Sequence, residues 1–384
     1  MTDDTLTQAQ RNQSLAAIIG TAFGVGVAVG AIVPLVSLSL ARDGYDGVRI
    51  GINSAMLPLA VMLMGPLMPR IIARLGTLPS IYLGLGVAAI GVLLFPIFPN
   101  YYAWCAIRFL IGLASAIHWI TSETWINLMA TSRSRSRVMS IYASVMALGF
   151  VLGPMVINLT GIDGWLPFFA VSVALCVALL PVALARQVVP AVSVHGTVSV
   201  TAAFAAAPTV MMAALVAGFV DASLFALIPV YELRAGFDRA LAVASLSIFM
   251  AGNLILQLPL GWLADHTSRR GVLLLSAGVV AAGAVVYPLL LGSLPLLWLM
   301  MFLWGGVSWG IYTLGLALMG ERVPAGQLAV ANSAFVMMYE LGSFGGPILA
   351  GGAMDTWPRF GMPTVIAVAA ATLLVFGLVR NHRH

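Results

Sequence analysis

The chain has 384 residues, of which 61% are hydrophobic and 8% charged, and its mean hydropathy is +1.03. Soluble domains carry about 25% charged residues, and no soluble core of this size hides so much apolar surface, so the composition excludes an ordinary soluble protein and makes lipid the solvent for most of the chain. The net charge of +5 comes wholly from arginine, since the sequence has no lysine; in so apolar a chain it points to cytoplasmic loops and not to nucleic acid.

In chain order, apolar runs long enough to span a bilayer fall near 15–41, 50–72, 78–97, 102–129, 138–160, 164–185, 208–233, 240–263, 271–291, 295–320, 328–354 and 361–380. They are continuous and lack period-two alternation, which selects helices over a β-barrel. The first residues, Met-Thr-Asp-Asp, form no basic n-region, so the first run is expected to stay as a helix and not to be cleaved as a signal peptide. Cys105 and Cys176 both lie in apolar runs, where a disulfide framework is not expected. The stretch 186–207 is mildly polar and too short to be a domain. It divides the chain into an N-terminal six-helix half (1–185), a cytoplasmic central loop (186–207) and a C-terminal six-helix half (208–384).

Arginine placement sets the expected orientation. With both termini cytoplasmic, twelve arginines lie inside (Arg11, Arg70, Arg74, Arg133, Arg135, Arg137, Arg186, Arg269, Arg270, Arg322, Arg380 and Arg383) and five outside (Arg42, Arg49, Arg234, Arg239 and Arg359). The outer five mostly have acidic neighbours, Asp43, Asp46, Glu232, Asp238 and Asp355. Trp104, Trp165, Trp298 and Trp357 fall near outer ends, as an aromatic belt requires.

The chain also repeats itself at half its length. Residues 108–154 run from Arg108-Phe-Leu-Ile-Gly112 to Leu148-Gly-Phe-Val-Leu-Gly-Pro154, and residues 301–347 run from Met301-Phe-Leu-Trp-Gly305 to Leu341-Gly-Ser-Phe-Gly-Gly-Pro347, with an offset of 193 and no gap. Pro69-Arg-Ile-Ile-Ala-Arg-Leu-Gly76 echoes Gly261-Trp-Leu-Ala-Asp-His-Thr-Ser-Arg-Arg270 at an offset of 192. Duplicated apolar halves are a mark of membrane transporters.

Gly261-Trp-Leu-Ala-Asp265-His-Thr-Ser-Arg269-Arg270, between spans 8 and 9, resembles the loop signature of the major facilitator superfamily, with Ser268 in place of its second glycine. The loop between spans 2 and 3 keeps Arg74 and Gly76 but has Ala73 where the aspartate belongs. Arg108-Phe-Leu-Ile-Gly112 resembles the span-4 motif of that superfamily. Gly149-Phe-Val-Leu-Gly153-Pro154 resembles the span-5 motif of its drug/proton antiporters, and the run from Arg108 to Pro154 is most similar to the YcaD-like branch. The resemblance implies a major facilitator fold, all-α, with twelve transmembrane helices in two pseudo-symmetric halves. It implies that spans 3, 6, 9 and 12 pack outside while the other eight border a cavity. It also implies that Asp265, Arg269 and Arg270, and Arg74 in the first half, lock helix ends in one conformational state, the first-half lock being weakened by Ala73. Acids near helix N-termini and arginines near carbonyl ends suit that role; topogenic loop charge is the plainer reading of the same residues.

An ionised side chain at mid-bilayer costs about 2.5–3.5 kcal/mol on insertion scales. Five candidates stand inside spans: Arg108, His118, Glu123, Asp221 and Glu340, in spans 4, 7 and 11. Asp221 and Glu340 each lie about 20 Å from the cytoplasmic start of their spans, near the midplane. Arg108 and Glu123 are about 22 Å apart along one helix and cannot pair. Arg108, Gly112, Ser115, Trp119 and Ser122 form one narrow stripe with Glu123 at its flank. Carboxyls in low-dielectric sites load and release protons near physiological pH, so Asp221 and Glu340 are the first candidates for proton coupling or for holding a cationic group. A permanently protonated structural acid is the alternative. Arg108 keeps its proton and suits an anionic substrate group or a nearby acid. Asn253 and Gln257, one turn apart in span 8, can orient a polar ligand or merely bridge helices. His118, Tyr231, Tyr339 and Trp309 are expected to serve packing.

Gly306-Val-Ser308-Trp-Gly310 matches the nucleophile-elbow pattern, but it lies inside span 10 without the strand that the motif needs and is read as chance. No enzyme chemistry, cofactor or metal site is expected. The expectation is a monomeric secondary transporter in the cytoplasmic (inner) membrane. It exchanges a small-molecule substrate, and protons, across the lipid bilayer by alternating access, leaning to efflux through the span-5 motif. Proton-driven uptake of a small metabolite or vitamin is the alternative, and a non-transporting membrane sensor on the same fold is the second.

Overall fold

The structure, a computed structural model, describes residues 7–130, 135–188, 207–323 and 328–381. All regular structure among these residues is helical. In chain order the helices are α1 (Gln8–Arg42), α2 (Gly47–Met64), α3 (Met68–Leu75), α4 (Thr77–Ile97), α5 (Tyr101–Met129), α6 (Arg135–Thr160), α7 (Leu166–Leu184), α8 (Pro208–Arg234), α9 (Arg239–His266), α10 (Arg269–Leu290), α11 (Leu294–Arg322), α12 (Leu328–Thr356) and α13 (Gly361–Asn381). Twelve are long, and α3 is one short addition. Eleven are long and apolar enough to cross a membrane. The twelfth, α12, is 29 residues long, and its glycines, Ser343 and Glu340 dilute its hydropathy. The all-α twelve-helix membrane architecture expected from the sequence is the one observed.

The run expected as a single span at 50–72 is divided. Helix α2 stops at Met64, a 3-10 turn covers Gly65–Leu67, and α3 follows. Neither Pro66 nor Pro69 has an amide N–H to continue the ladder. Elsewhere the helix starts follow ordinary capping. Asn100, Asp238 and Ser268 accept hydrogen bonds from backbone amides at the first turns of α5, α9 and α10. Most of the central loop 186–207, together with Arg133 and Arg383, lies outside the described residues.

By their packing the residues form two compact units, Met1–Leu35 with Leu59–His195, and Val36–Pro58 with Gly196–His384. In the first unit α1 and α6 meet through glycine. A methyl group on Gly149 would lie 2.6 Å from the Phe23 carbonyl oxygen and 2.7 Å from Gly26, and one on Gly153 would lie 2.6 Å from Gly30. In the second unit α8 and α12 meet the same way. Gly218 lies against the Tyr339 carbonyl, Gly342 against that of Leu215 and Gly346 against that of Phe219. Helices α9 and α11 repeat the device, with Gly252 against the Phe302 carbonyl and Gly305 against that of Phe249. Lipid gives helices no hydrophobic reason to associate, so close backbone approach through small residues supplies the dispersion contact instead. The repeated motif thus has a structural use in both copies.

Of the tryptophans expected in an outer belt, Trp165 and Trp357 are exposed, whereas Trp104 is buried and donates to the Phe95 carbonyl at 3.0 Å. Edge-on contact with Phe95 and Phe168 makes it part of the α4–α5–α7 corner.

Candidate functional site

The second unit gathers most of the candidate residues. Asp221, on the α8 face turned to α11, is 2% exposed. Its Oδ1 accepts a hydrogen bond from Ser308 Oγ at 2.9 Å, and its Oδ2 has no partner among the described residues. Ser308 is itself fully buried. The serine read as a chance nucleophile pattern is therefore the group that holds the midplane acid. On the neighbouring helix pair, Gln257 Nε2 donates to Asn253 Oδ1 at 2.8 Å, and Thr313 Oγ1 donates to Gln257 Oε1 at 3.1 Å. This chain links α9 to α11 five residues beyond Ser308, about 7.5 Å along the helix. Glu340 on α12 is half-buried and makes no hydrogen bond or ion pair among the described residues. Its neighbour Tyr339 interacts electrostatically with both Asp221 and Glu340 and packs edge-on against Tyr312 at 5.0 Å. One phenol thus relates the two carboxyls.

The first unit holds Arg108, Glu123 and His118. Arg108 is 3% exposed, donates from Nη2 to the Val33 carbonyl at 3.1 Å, and leaves its Nε without a partner among the described residues. It pairs with no carboxylate among the described residues. Glu123 is half-buried and accepts from Trp119 Nε1 at 2.8 Å. Tyr142, buried on α6, faces Glu123 electrostatically. His118 is 3% exposed and lies 3.4 Å from Ser122 Oγ.

At the loop between α9 and α10, Arg269 bridges two acids, with Nη2 at 2.7 Å from Asp265 and Nη1 at 2.8 Å from Glu321 at the end of α11. Arg270 donates to the carbonyl of Gly377 on α13. Asp265, Ser268, Arg269, Arg270 and Glu321 line a solvent-open cleft of about 470 Å³. Arg74 is exposed at the end of α3 and makes no ion pair among the described residues.

Glu232 was counted from the sequence as an acid beside an outer arginine. It is instead fully buried, and its Oε1 accepts from the Tyr287 hydroxyl at 2.9 Å. Tyr231 packs against Tyr287 with the rings tilted by 34° and their centroids 5.0 Å apart, and its hydroxyl donates to the Arg359 carbonyl at 2.6 Å. The signal was available: Glu232 follows Asp221 by eleven residues, about three helical turns, which returns it to nearly the same face. Ser308 and Thr313 carried no such signal, because their partners lie 87 and 56 residues away.

Comparison with known proteins agrees with this geometry. The Major Facilitator Superfamily matches residues 18–347. The chain is 28% identical over 344 residues to the uncharacterized MFS-type transporter YfkF of Bacillus subtilis (strain 168), covering 86% of each. It is 26% identical over 362 residues to the uncharacterized MFS-type transporter YcaD of Escherichia fergusonii, covering 93% of each. Among solved structures it resembles a bacterial homolog of the human lysosomal transporter Spinster, with a TM-score of 0.74 at 15% identity over 98% of this chain and 94% of that one. It also resembles a mutant of the nucleoside transporter NupG, with a TM-score of 0.77 at 14% identity over 95% of this chain and 99% of that one. At such identities the two structures show the fold alone. With the family matched across most of its length and the relatives matched nearly end to end, the chain belongs to the Major Facilitator Superfamily, resembles its YcaD branch, and is a membrane transporter and not an enzyme.

Proposed function

We propose that the protein exports a small molecule across the cytoplasmic membrane by alternating access, coupled to protons, as a monomer with both termini cytoplasmic. Its two halves, 1–185 and 208–384, rock about a central cavity, with 186–207 as the cytoplasmic connector. The observation that carries the coupling is Asp221, a carboxyl shut off from solvent with one oxygen held by Ser308 and the other without a partner among the described residues. A buried acid arranged in this way has a defined place for one proton. Glu340 is the second carrier, related to the first through Tyr339. The Asn253–Gln257–Thr313 chain orients the polar part of the substrate. In the first half, Arg108 balances negative charge and Glu123 contributes a further carboxylate. Asp265, Arg269 and Arg270 hold helix ends in one state, with Arg74 as their weaker first-half counterpart. The span-5 motif at Gly149, Gly153 and Pro154 supports export as the direction.

A thermal-shift screen of a small-molecule library supplies a labelled probe compound for proteoliposomes. Asp221→Asn and Glu340→Gln are each expected to lower flux driven by an imposed pH gradient by about tenfold, the effect of roughly 1.4 kcal/mol, while exchange without a gradient persists. Gradient-driven flux unchanged in both variants shows that the acids are structural.

A further inference from the structure

Glu232 plays no part in the coupling assigned to Asp221 and Glu340, yet among the described acids it is the most completely enclosed. It stands two residues before the end of α8 and is 0% exposed. Ends of four helices converge on it, at the end of the second unit opposite the loop that carries Asp265 and Arg269. Tyr287, near the end of α10, donates to its Oε1 at 2.9 Å. Ser245, in the second turn of α9, faces the same carboxyl and accepts the indole N–H of Trp298, in the second turn of α11, at 3.1 Å. Oε2 has no partner among the described residues. The wall around the carboxyl is aromatic. Tyr231, Tyr287 and Trp304, each at most 1% exposed, follow one another with ring centroids 5.0 and 5.4 Å apart.

No cation among the described residues answers this carboxyl. The titratable groups that face it are the two phenols, Tyr231 on α8 and Tyr287 on α10, while Ser245 and Trp298 from α9 and α11 carry no charge. Arg359, in the turn before α13, interacts with Tyr231, and its guanidinium donates to the Pro288 carbonyl at 3.2 Å. Arg234, two residues beyond Glu232, pairs with Asp355 at 2.7 Å. An ionised carboxyl here is a buried charge with one hydrogen bond and no counter-ion, which costs far more than a buried neutral acid. We propose that Glu232 is a proton-binding site apart from the coupling acids, which clips the end of α8 to α9 and α10 only as the neutral acid and opens that corner of the unit when its proton leaves. Water reaching the corner meets a glutamate that ionises near pH 4.3, to about that figure, in the open chain. Each opening therefore releases one proton, and the opening constant rises by up to about tenfold per pH unit. With both termini cytoplasmic this corner faces outside and senses the outer pH. The inference needs neither a coupling acid nor a substrate, so it and the transport reading fail separately.

Two measurements on the full chain in nanodiscs test this. The infrared difference between wild type and Glu232→Gln at about pH 6 is expected to contain the C=O band of a protonated carboxyl. Tyr287→Phe, which keeps the acid and removes the donor to its carbonyl oxygen, is expected to move that band to higher wavenumber, and it carries the spectral test alone if Glu232→Gln does not fold. No band, or a band that Tyr287→Phe leaves in place, overturns the proposal. The second measurement is the rate at which a membrane-impermeant thiol reagent labels Ala284→Cys, one turn before Tyr287 and 0% exposed, with Cys105 and Cys176 replaced by serine. Dividing by the rate for the same cysteine in the Glu232→Gln background cancels the titration of the thiol itself. The ratio is expected to be near one at about pH 6 and to climb by about three- to tenfold per unit toward about pH 9. A ratio that stays flat refutes the clip. An equal climb at Ala277→Cys, two turns deeper in α10 and 0% exposed, refutes it as well, because the whole unit then loosens.

Discussion

Replacing Ser308 by alanine isolates the bond on which the central acid depends. The hydroxyl lies 2.9 Å from Asp221 Oδ1, with Ser308 0% and Asp221 2% exposed. A hydrogen bond to a charged group is worth about 1.5–3 kcal/mol in soluble proteins, whereas double-mutant cycles inside membranes average about 0.6 and reach about 1.7 kcal/mol. The upper end of the membrane range applies here. Asp221 Oδ2 already lacks a partner among the described residues, so alanine at 308 strands both oxygens of one buried carboxyl. Ser308→Ala should therefore cost about 1.5 kcal/mol. Asp221→Leu removes the acid and substitutes an apolar side chain of similar shape. In that background Ser308→Ala should cost almost nothing, because replacing both partners of a buried polar pair by apolar groups is close to neutral. Reversible unfolding of the wild type, the two single variants and the double variant in mixed detergent micelles gives the coupling directly. Single costs that simply add would show that Ser308 does not hold Asp221, and the coupling role proposed for that carboxyl would lose its structural basis.

Neighbouring glycines in α12 should respond with opposite signs. A methyl group at Gly346 meets the Phe219 carbonyl and lies 2.7 Å from Ser223 Oγ, while one at Gly345 meets nothing within 4 Å. Gly346→Ala is expected to destabilise by about 1–3 kcal/mol through overpacking, and Gly345→Ala to stabilise by about 0.4–1 kcal/mol through the unfolded chain; shifts of the same sign in thermal unfolding would contradict the packing described for α8 and α12. At the loop cluster, Arg269→Gln should change stability by less than about 1 kcal/mol, because the ion pairs are largely solvated, and 1 M salt should erase the difference; a larger, salt-insensitive loss would make the cluster a structural staple and not a gating contact.

The spans were legible because bilayer thickness imposes a length and a composition that no tertiary contact can override. What escaped was whatever depends on a partner far along the chain. The run at 50–72 read as one span because hydropathy is blind to the donor that a proline lacks, yet Pro66 divides it. Glu232 read as an outer charge because Arg234 stands two residues on, although Arg234 pairs with Asp355 and Glu232 turns inward to Tyr287. Asp221 and Glu340 stood out in the sequence as acids inside spans, since their cost in lipid is local, and the structure buries the first and half-buries the second. That cost, however, says nothing of which hydroxyl offsets it.

The half-chain repeat bears on that question. Gly149 and Gly153 and their counterparts Gly342 and Gly346 do the same work in α6 and α12, packing against α1 and α8. Close helix approach is a demand that every copy must meet, so the residues that meet it recur. At the offset of 193 the counterpart of Ser308 is Ser115, so the hydroxyl donor is present in both halves. The counterpart of Asp221 is Ala28, which is 2% exposed. A serine inside a helix is tolerated alone, because its hydroxyl can donate a hydrogen bond to a carbonyl one turn back. A buried carboxyl is not tolerated alone, because an unpaired charge in hydrocarbon costs several times more than an unpaired hydroxyl. Shared packing therefore allows the donor in either half, and only the half that uses an acid keeps one. The asymmetry of the transporter is concentrated in single residues laid on a duplicated frame.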